Sequence, residues 1–223
     1  MKSRDFLRRR YANGFHDRQD AGEALAAALS GYAAEPDLLV IGLARGGVPV
    51  AAVVAERLGA TLEVAVVRKL GMPGHEELAL GAITRDRIVV NERLIADLGV
   101  GQRDIEAIVE RERRELDRRE IAYRQGRPRV DVAGRTVLLV DDGVATGASM
   151  RVAALAARDA HAVRVIVAVP TAPASVSEEF GDVADDVVCV HTPRPFIAVG
   201  LSYRQFDQVS DNEVTAALAG RSD

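Results

Sequence analysis

Val137-Leu-Leu-Val-Asp-Asp-Gly-Val-Ala-Thr-Gly-Ala-Ser149 is the stretch that decides how this chain folds. Four apolar residues run into two adjacent carboxylates, Asp141 and Asp142, and a small-residue loop then leads into an alanine-rich helix. An apolar run bounded by turn signals reads as a buried parallel strand. Asp-Asp-Gly at its carboxyl end is where an open α/β sheet places a ligand. Thr146, Gly147, Ala148 and Ser149 offer N–H groups and hydroxyls at a helix N-terminus, which suits a phosphate. The two carboxylates sit where a sugar diol or a metal would lie beside that phosphate, so the pattern points to a ribose 5-phosphate. On its own the acid pair leaves other readings open. It can cap a helix, form a turn, or hold Mg²⁺ as in phosphatases and signalling receivers.

A second loop, Gly42-Leu-Ala-Arg-Gly-Gly47, lies between an apolar strand at Leu38–Ile41 and a helix from about Pro49 to Leu58, which Gly59 ends. Arg45 beside Gly46 and Gly47 sets a guanidinium next to accessible backbone N–H groups, a nest for a pyrophosphate. A tight turn with a surface arginine is the plainer alternative, and it weakens once two anion loops occur in one small α/β chain. Neither Gly-x-x-x-x-Gly-Lys-Ser/Thr nor Gly-x-Gly-x-x-Gly occurs, which excludes a simple P-loop or dinucleotide fingerprint.

The 223 residues suit one domain, with a possible hood formed by the N-terminal segment and about residues 191–210. Hydrophobic residues make up 48% and aromatics 4%, so the core must be built from Val, Leu, Ile and Ala. A net charge of −4 gives no electrostatic case for a nucleic-acid partner. The lone Cys189, inside Val187–Val190, reads as a buried small hydrophobe in a reducing, cytoplasmic setting. No apolar run approaches the roughly 18 residues needed to cross a bilayer, so no membrane partner is expected. Met1–Arg10 is basic but lacks the apolar region of a secretory signal.

Strands alternate with helices along the chain, which predicts an α/β fold: an open, mainly parallel sheet with helices on both faces. Asp17 caps a helix to about Leu29. Strands are expected at 62–67, 163–169 and 187–190, with two short paired strands at 78–83 and 88–90. Residues 71–77 read as a loop. Residues 102–125 form a charged helix with a thin stripe of Ile105, Ile108, Val109, Leu116 and Ile121, either solvated or a subunit contact. A short helix is expected near 174–180, and a terminal one capped by Asp211.

Leu139–Ser149 resembles the phosphoribosyl-pyrophosphate signature of the type I phosphoribosyltransferases. Ala44-Arg-Gly-Gly47 is similar to that superfamily's pyrophosphate loop, and Val67-Arg-Lys-Leu-Gly71 to the segment before its mobile catalytic loop. Phe15-His-Asp-Arg-Gln-Asp-Ala-Gly22 and Gly74-His-Glu-Glu-Leu-Ala-Leu-Gly-Ala82 resemble motifs of a bacterial stand-alone group with little-defined acceptors.

The resemblance implies transfer of a phosphoribosyl group from phosphoribosyl pyrophosphate to a nitrogenous base, in nucleotide metabolism. Asp141 and Asp142 would hold the ribose hydroxyls, and with few direct protein ligands they would also border Mg²⁺. Gly143, Val144, Ala145, Thr146, Gly147, Ala148 and Ser149 would cradle the 5-phosphate. Arg45, Gly46 and Gly47, around a cis peptide, together with Lys69, would meet the pyrophosphate. Residues of about 71–82 would close over the site. Phe196, Tyr203 and Phe206 are candidates to stack on the base, or else fill core gaps, and His75 is a candidate acid or base or an exposed bystander. A homodimer is expected. Two other readings stay open: a regulator that binds the ligand without transfer, with RNA on Lys2, Arg4, Arg8, Arg9 and Arg10, and a Mg²⁺-dependent phosphatase.

Overall fold

The structure, a computed structural model, describes residues 10–72 and 75–220, and only the backbone of residues 75–77. Lys2, Arg4, Arg8, Arg9 and the His75 side chain therefore lie outside the described residues.

Five strands, β1 (Leu39–Ala44), β2 (Thr61–Val66), β6 (Thr136–Val140), β7 (Arg164–Thr171) and β8 (Asp186–His191), form a sheet in the order β2-β1-β6-β7-β8. Every pairing in it is parallel. Alternation along each strand divides the apolar side chains between two faces. Val40, Leu138, Val140, Ile166 and Ala168 meet Ala21, Leu25, Val50 and Val54 of α1 (Arg18–Ala28) and α2 (Gly47–Leu58). Leu39, Val137, Leu139, Val165 and Val167 meet Val152, Ala153 and Ala157 of α5 (Ala148–Asp159). Helices on both faces explain why these strands read as unbroken apolar runs.

The expected strand at 38–41 runs on to Ala44, because Gly42, Leu43 and Ala44 pair with Val64, Ala65 and Val66. From β1 the chain crosses outward to β2, whereas β6 leads the opposite way to β7. The loops after β1 and β6 therefore flank a switch point, the usual place for a ligand in such sheets.

A second, antiparallel sheet holds β3 (Arg68–Met72), β4 (His75–Ile83) and β5 (Ile88–Val90). Its β4–β5 pairing matches expectation, with Ile83 opposite Ile88. Within the segment expected as a loop, Gly71 and Met72 end β3 and His75 begins its partner β4, with the register shifting around Gly71. The hairpin is held from behind by α4 (Gln102–Arg124), where Ile108 and Leu116 pack with Leu70, Leu80 and Ile83.

The buried face of α4 is only partly the predicted stripe. Ile121 is 75% exposed, and Tyr123, Glu112 and Glu120 are buried in its place. The carboxylates go inward because they have partners: Arg68 lies on Glu112 at 2.7 Å, and Arg124 and Arg129 on Glu120 at 2.9 and 2.8 Å. Much of the charge on this helix thus serves its own chain.

Two smaller corrections concern β8 and the last helix. Cys189 is half-buried, since β8 is an edge strand. Ser210, not Asp211, caps α7 (Asp211–Ala219), through a capping box with Glu213. Two short helices are α3 (Glu92–Asp97) and α6 (Val176–Glu179). The N-terminal segment meets the 202–205 segment through a bridge between Phe15 and Tyr203, with Phe15 N–H donating to Ser202 O at 2.7 Å.

Candidate functional site

At the switch point lies an open cavity of about 500 Å³. Its walls are Arg45 and Gly46 after β1, Lys69 on β3, residues 141–150 after β6, and Arg18, Val199 and residues 206–209 from outside the sheet. Every residue expected to meet the ribose, 5-phosphate or pyrophosphate lines it except Gly47. Gly47 lies underneath, where a Cβ would come 2.5 Å from Val140 O and 2.7 Å from Asp141 Cα. The Ala44–Arg45 peptide is cis, as the resemblance implied.

The loop after β6 has two layers. Val144 is buried, and its N–H donates to Thr171 O at 3.0 Å, so this residue anchors the loop and offers no donor to a ligand. Ala145 and Thr146 are exposed above it. Gly147 adopts a φ of 73°, and no side chain caps α5, which starts there. The first N–H groups of a helix have no intrahelical acceptor, so this end presents donors and positive partial charge to the cavity. It can hold an anion.

Asp141 and Asp142 enter the cavity from the end of β6. Asp141 Oδ1 accepts the N–H of Asp142 at 2.9 Å. Burial, reinforced by the Asp142 charge, pushes the Asp141 carboxyl well above its ordinary range, while Lys69 and Arg18 oppose the shift. Burial raises Asp142 too, and the charge and hydrogen bond of Arg18 pull against it.

Arg18 is the site residue that reading the sequence missed. Its Nε and Nη2 donate to Asp142 Oδ2 at 2.9 and 2.8 Å, and Nη1 donates to Asp207 O at 2.8 Å. Tyr203 Oη donates to the carbonyl of Asp142, so the acid loop is held from the hood side as well. Arg45 is turned toward α7, with Nη1 3.8 Å from Asp211 Oδ1. Asp211 in turn accepts from Tyr123 Oη at 2.6 Å, and burial followed by that bond pushes the Tyr123 hydroxyl up to about 12.

Of the aromatic candidates, Phe206 lines the cavity, Tyr203 lies behind it, and Phe196 does not reach it. Among the described residues no group of three or more His, Cys, Asp or Glu could cage a metal ion. A carboxylate pair beside an anion cradle does fit Mg²⁺, which is commonly held by one or two carboxylates plus substrate phosphates and water.

A family model, the phosphoribosyl transferase domain, matches residues 15–204. The chain belongs to this family. Among curated proteins, a Mycobacterium tuberculosis protein with the provisional name phosphoribosyl transferase is 46% identical over 208 residues, in each of strains CDC 1551 and H37Rv. That match takes in 92% of this chain but 46% of the relative, so the chain spans about half the length of these curated relatives. Among solved structures, TT1426 from Thermus thermophilus is 41% identical and superimposes with a TM-score of 0.77, covering 93% of this chain and 98% of that one. This phosphoribosyl transferase domain has no described helix long and apolar enough to cross a membrane.

Proposed function

We propose that the cavity binds phosphoribosyl pyrophosphate with Mg²⁺ and transfers its phosphoribosyl group to a nitrogenous acceptor, a purine, pyrimidine or related base, releasing pyrophosphate. One observation carries the reading. A helix end with open donors, an acid pair, and the Arg45–Gly46 loop with Lys69 all line one cavity of a phosphoribosyl transferase domain. A ligand with a 5-phosphate, a diol and a pyrophosphate matches these groups in kind.

Ala145 to Ser149 would hold the 5-phosphate on the α5 N-terminus. Val144 would contribute by fixing the loop. Asp141 and Asp142 would accept from the ribose 2- and 3-hydroxyls, Asp142 through Oδ1 while Oδ2 stays on Arg18. Arg45, Gly46 and Lys69 would meet the pyrophosphate. Asp141 and Asp142 would border Mg²⁺, which when bound would supply positive charge to the leaving group. As the bond from C1 to the pyrophosphate oxygen loosens, positive charge grows on the ribose ring. The carboxylates beneath the ring stabilise that charge, and the cations of Arg45 and Lys69 stabilise the departing pyrophosphate. The acceptor nitrogen then bonds to C1 from the opposite face. The chain contributes orientation and electrostatics, with no covalent intermediate on the protein. Residues of about 71–82 would cover the site and limit water.

We further read the protein as a cytoplasmic homodimer of nucleotide metabolism, which sedimentation of the purified chain tests. Isothermal titration with phosphoribosyl pyrophosphate and Mg²⁺ tests the ligand: absence of binding removes both the transferase and the regulator. Where binding is seen, a screen of bases for pyrophosphate release separates the two, and release with no base in the panel leaves the regulator.

A further inference from the structure

Assigning the phosphate, diol and pyrophosphate uses most of the cavity wall. Besides Met150 at the cradle, what remains is Arg18, Val199, Phe206, Asp207, Gln208 and Val209. An acceptor in this cavity meets that wall. Phe206 is the ring on this wall and is 37% exposed, but two groups already lie against it. Tyr203 stacks on it, with centroids 4.8 Å apart and planes inclined by 29°. The guanidinium carbon of Arg18 lies 4.0 Å from the Phe206 centroid. Two planar groups at these separations cannot share one face, so Phe206 is sandwiched between them. Tilted ring contacts continue into the core through Phe15, 5.6 Å from Tyr203, and Tyr11, 5.0 Å from Phe15. Arg18 is thus the last plate of an aromatic column that ends at the cavity.

The plate is also pinned at its edges. Asp142 Oδ2 takes Nε and Nη2, and the Asp207 carbonyl takes Nη1. The side chain is only 14% exposed. Arg is the cation that stacks flat on a ring while its edge donors are engaged; Lys has no such plane.

We propose that Arg18 is the specificity-determining residue of the acceptor subsite, and that the acceptor stacks on the guanidinium face turned away from Phe206. The inference rests on the sugar-phosphate reading of this cavity and names its acceptor class: a planar nitrogen heterocycle with an electron-rich face. Asp142 already offsets the guanidinium charge, so the subsite reads the π-face and does not require a carboxylate on the acceptor. A cationic ring lacks the electron-rich face that a guanidinium attracts.

Nucleoside 5′-monophosphates test this, because they seat the sugar phosphate and present a base beside it. Calorimetric affinities of inosine 5′-monophosphate, uridine 5′-monophosphate and nicotinamide mononucleotide are compared with that of ribose 5-phosphate. Their ratio isolates the contribution of the base and cancels changes common to both ligands. In the unmodified chain at least one of the first two monophosphates binds about tenfold more tightly than ribose 5-phosphate. Nicotinamide mononucleotide, whose ring is cationic, gains nothing. Arg18→Gln and Arg18→Lys both remove the gain, the second because it keeps the charge without the plane.

A gain that survives in either variant overturns the proposal. So does an equal gain for the cationic ring, or no gain for either monophosphate when ribose 5-phosphate binds. If ribose 5-phosphate itself fails to bind the unmodified chain, the sugar-phosphate reading falls and the acceptor class falls with it. Loss confined to the base ratio leaves the sugar-phosphate reading standing.

Discussion

Gly46 and Asp142, from loops nearly a hundred positions apart, lie so close that a Cβ on Gly46 would sit 2.1 Å from Asp142 Oδ2. The glycine is there for lack of volume: its φ of −60° is open to any residue. Gly46→Ala must therefore push the Asp142 carboxylate out of place or lift the Arg45 loop. The expected outcome is a drop of about a hundredfold or more in affinity for phosphoribosyl pyrophosphate, read by calorimetry. The variant should unfold within a few degrees of the unmodified chain, since the clash falls on a solvent-facing cavity and spares the core. Unchanged affinity would show that the two loops do not act on one ligand.

Asp141→Asn should separate stability from binding. Burial raises the Asp141 carboxyl in the folded chain above its unfolded value of about 4. The folded state then binds this proton more readily than the unfolded state. Its contribution is fully favourable below the unfolded value and is lost as pH rises through the folded one. Asn does not titrate and keeps an oxygen for the Asp142 N–H. Thermal melts should show variant and unmodified chain nearly equal at pH 5, with the variant more stable by about 1 kcal/mol, or ~2–4 °C, at pH 8. Ligand affinity should fall over the same range. A gap that narrows with pH would contradict burial as the dominant cause.

How much of this was visible in the sequence depended on range. Val137–Val140 and the loops at 42–47 and 141–149 could be read because buried parallel strands are plain apolar runs and anion loops need small residues nearby in sequence. The β3–β4 hairpin could not. Gly71, Pro73 and Gly74 carry turn chemistry, while the pairing and the α4 cover that hold the strands come from elsewhere. Arg18 was hidden for the same reason, being 124 residues from Asp142. One local signal existed. An arginine in the first turn of a helix opposes the helix dipole, and such a conflict often marks a functional position. The stripe on α4 was misjudged at Ile121 because buried Glu112 and Glu120 are stabilised by Arg68 and Arg129 from outside the helix, which its periodicity does not reveal.

Glu63 ties the linker after α4 to the central sheet. Its carboxylate accepts from Val64 N–H at 2.7 Å, Val130 N–H at 2.9 Å and Arg124 Nη1 at 3.0 Å. Glu63→Ala leaves two backbone donors without their acceptor and takes one of two carboxylates from Arg124. Breaking such a set costs several times what a surface ion pair does. Urea unfolding should show a loss of about 3 kcal/mol, with ribose 5-phosphate affinity little altered because the cluster is not part of the site cavity. A loss below about 1 kcal/mol would mean that water replaces the carboxylate readily.

Gly147 tests the phosphate cradle alone. Its φ of 73° is the left-handed conformation that glycine adopts freely and that costs an L side chain roughly 1–2 kcal/mol. A Cβ there would also lie 2.4 Å from Glu179 Oε1 and 3.0 Å from the Phe180 ring. Glu179 can swing aside, but Phe180 is fully buried and cannot. Gly147→Ala should thus tilt the first turn of α5 and misdirect its free N–H groups. Ribose 5-phosphate affinity should fall at least tenfold, whereas pyrophosphate, held by the Arg45 loop and Lys69, should bind within about threefold of the unmodified chain. Equal losses for both ligands would show that the two anion sites do not respond separately, and the division of the cavity into cradle and pyrophosphate loop would have to be redrawn.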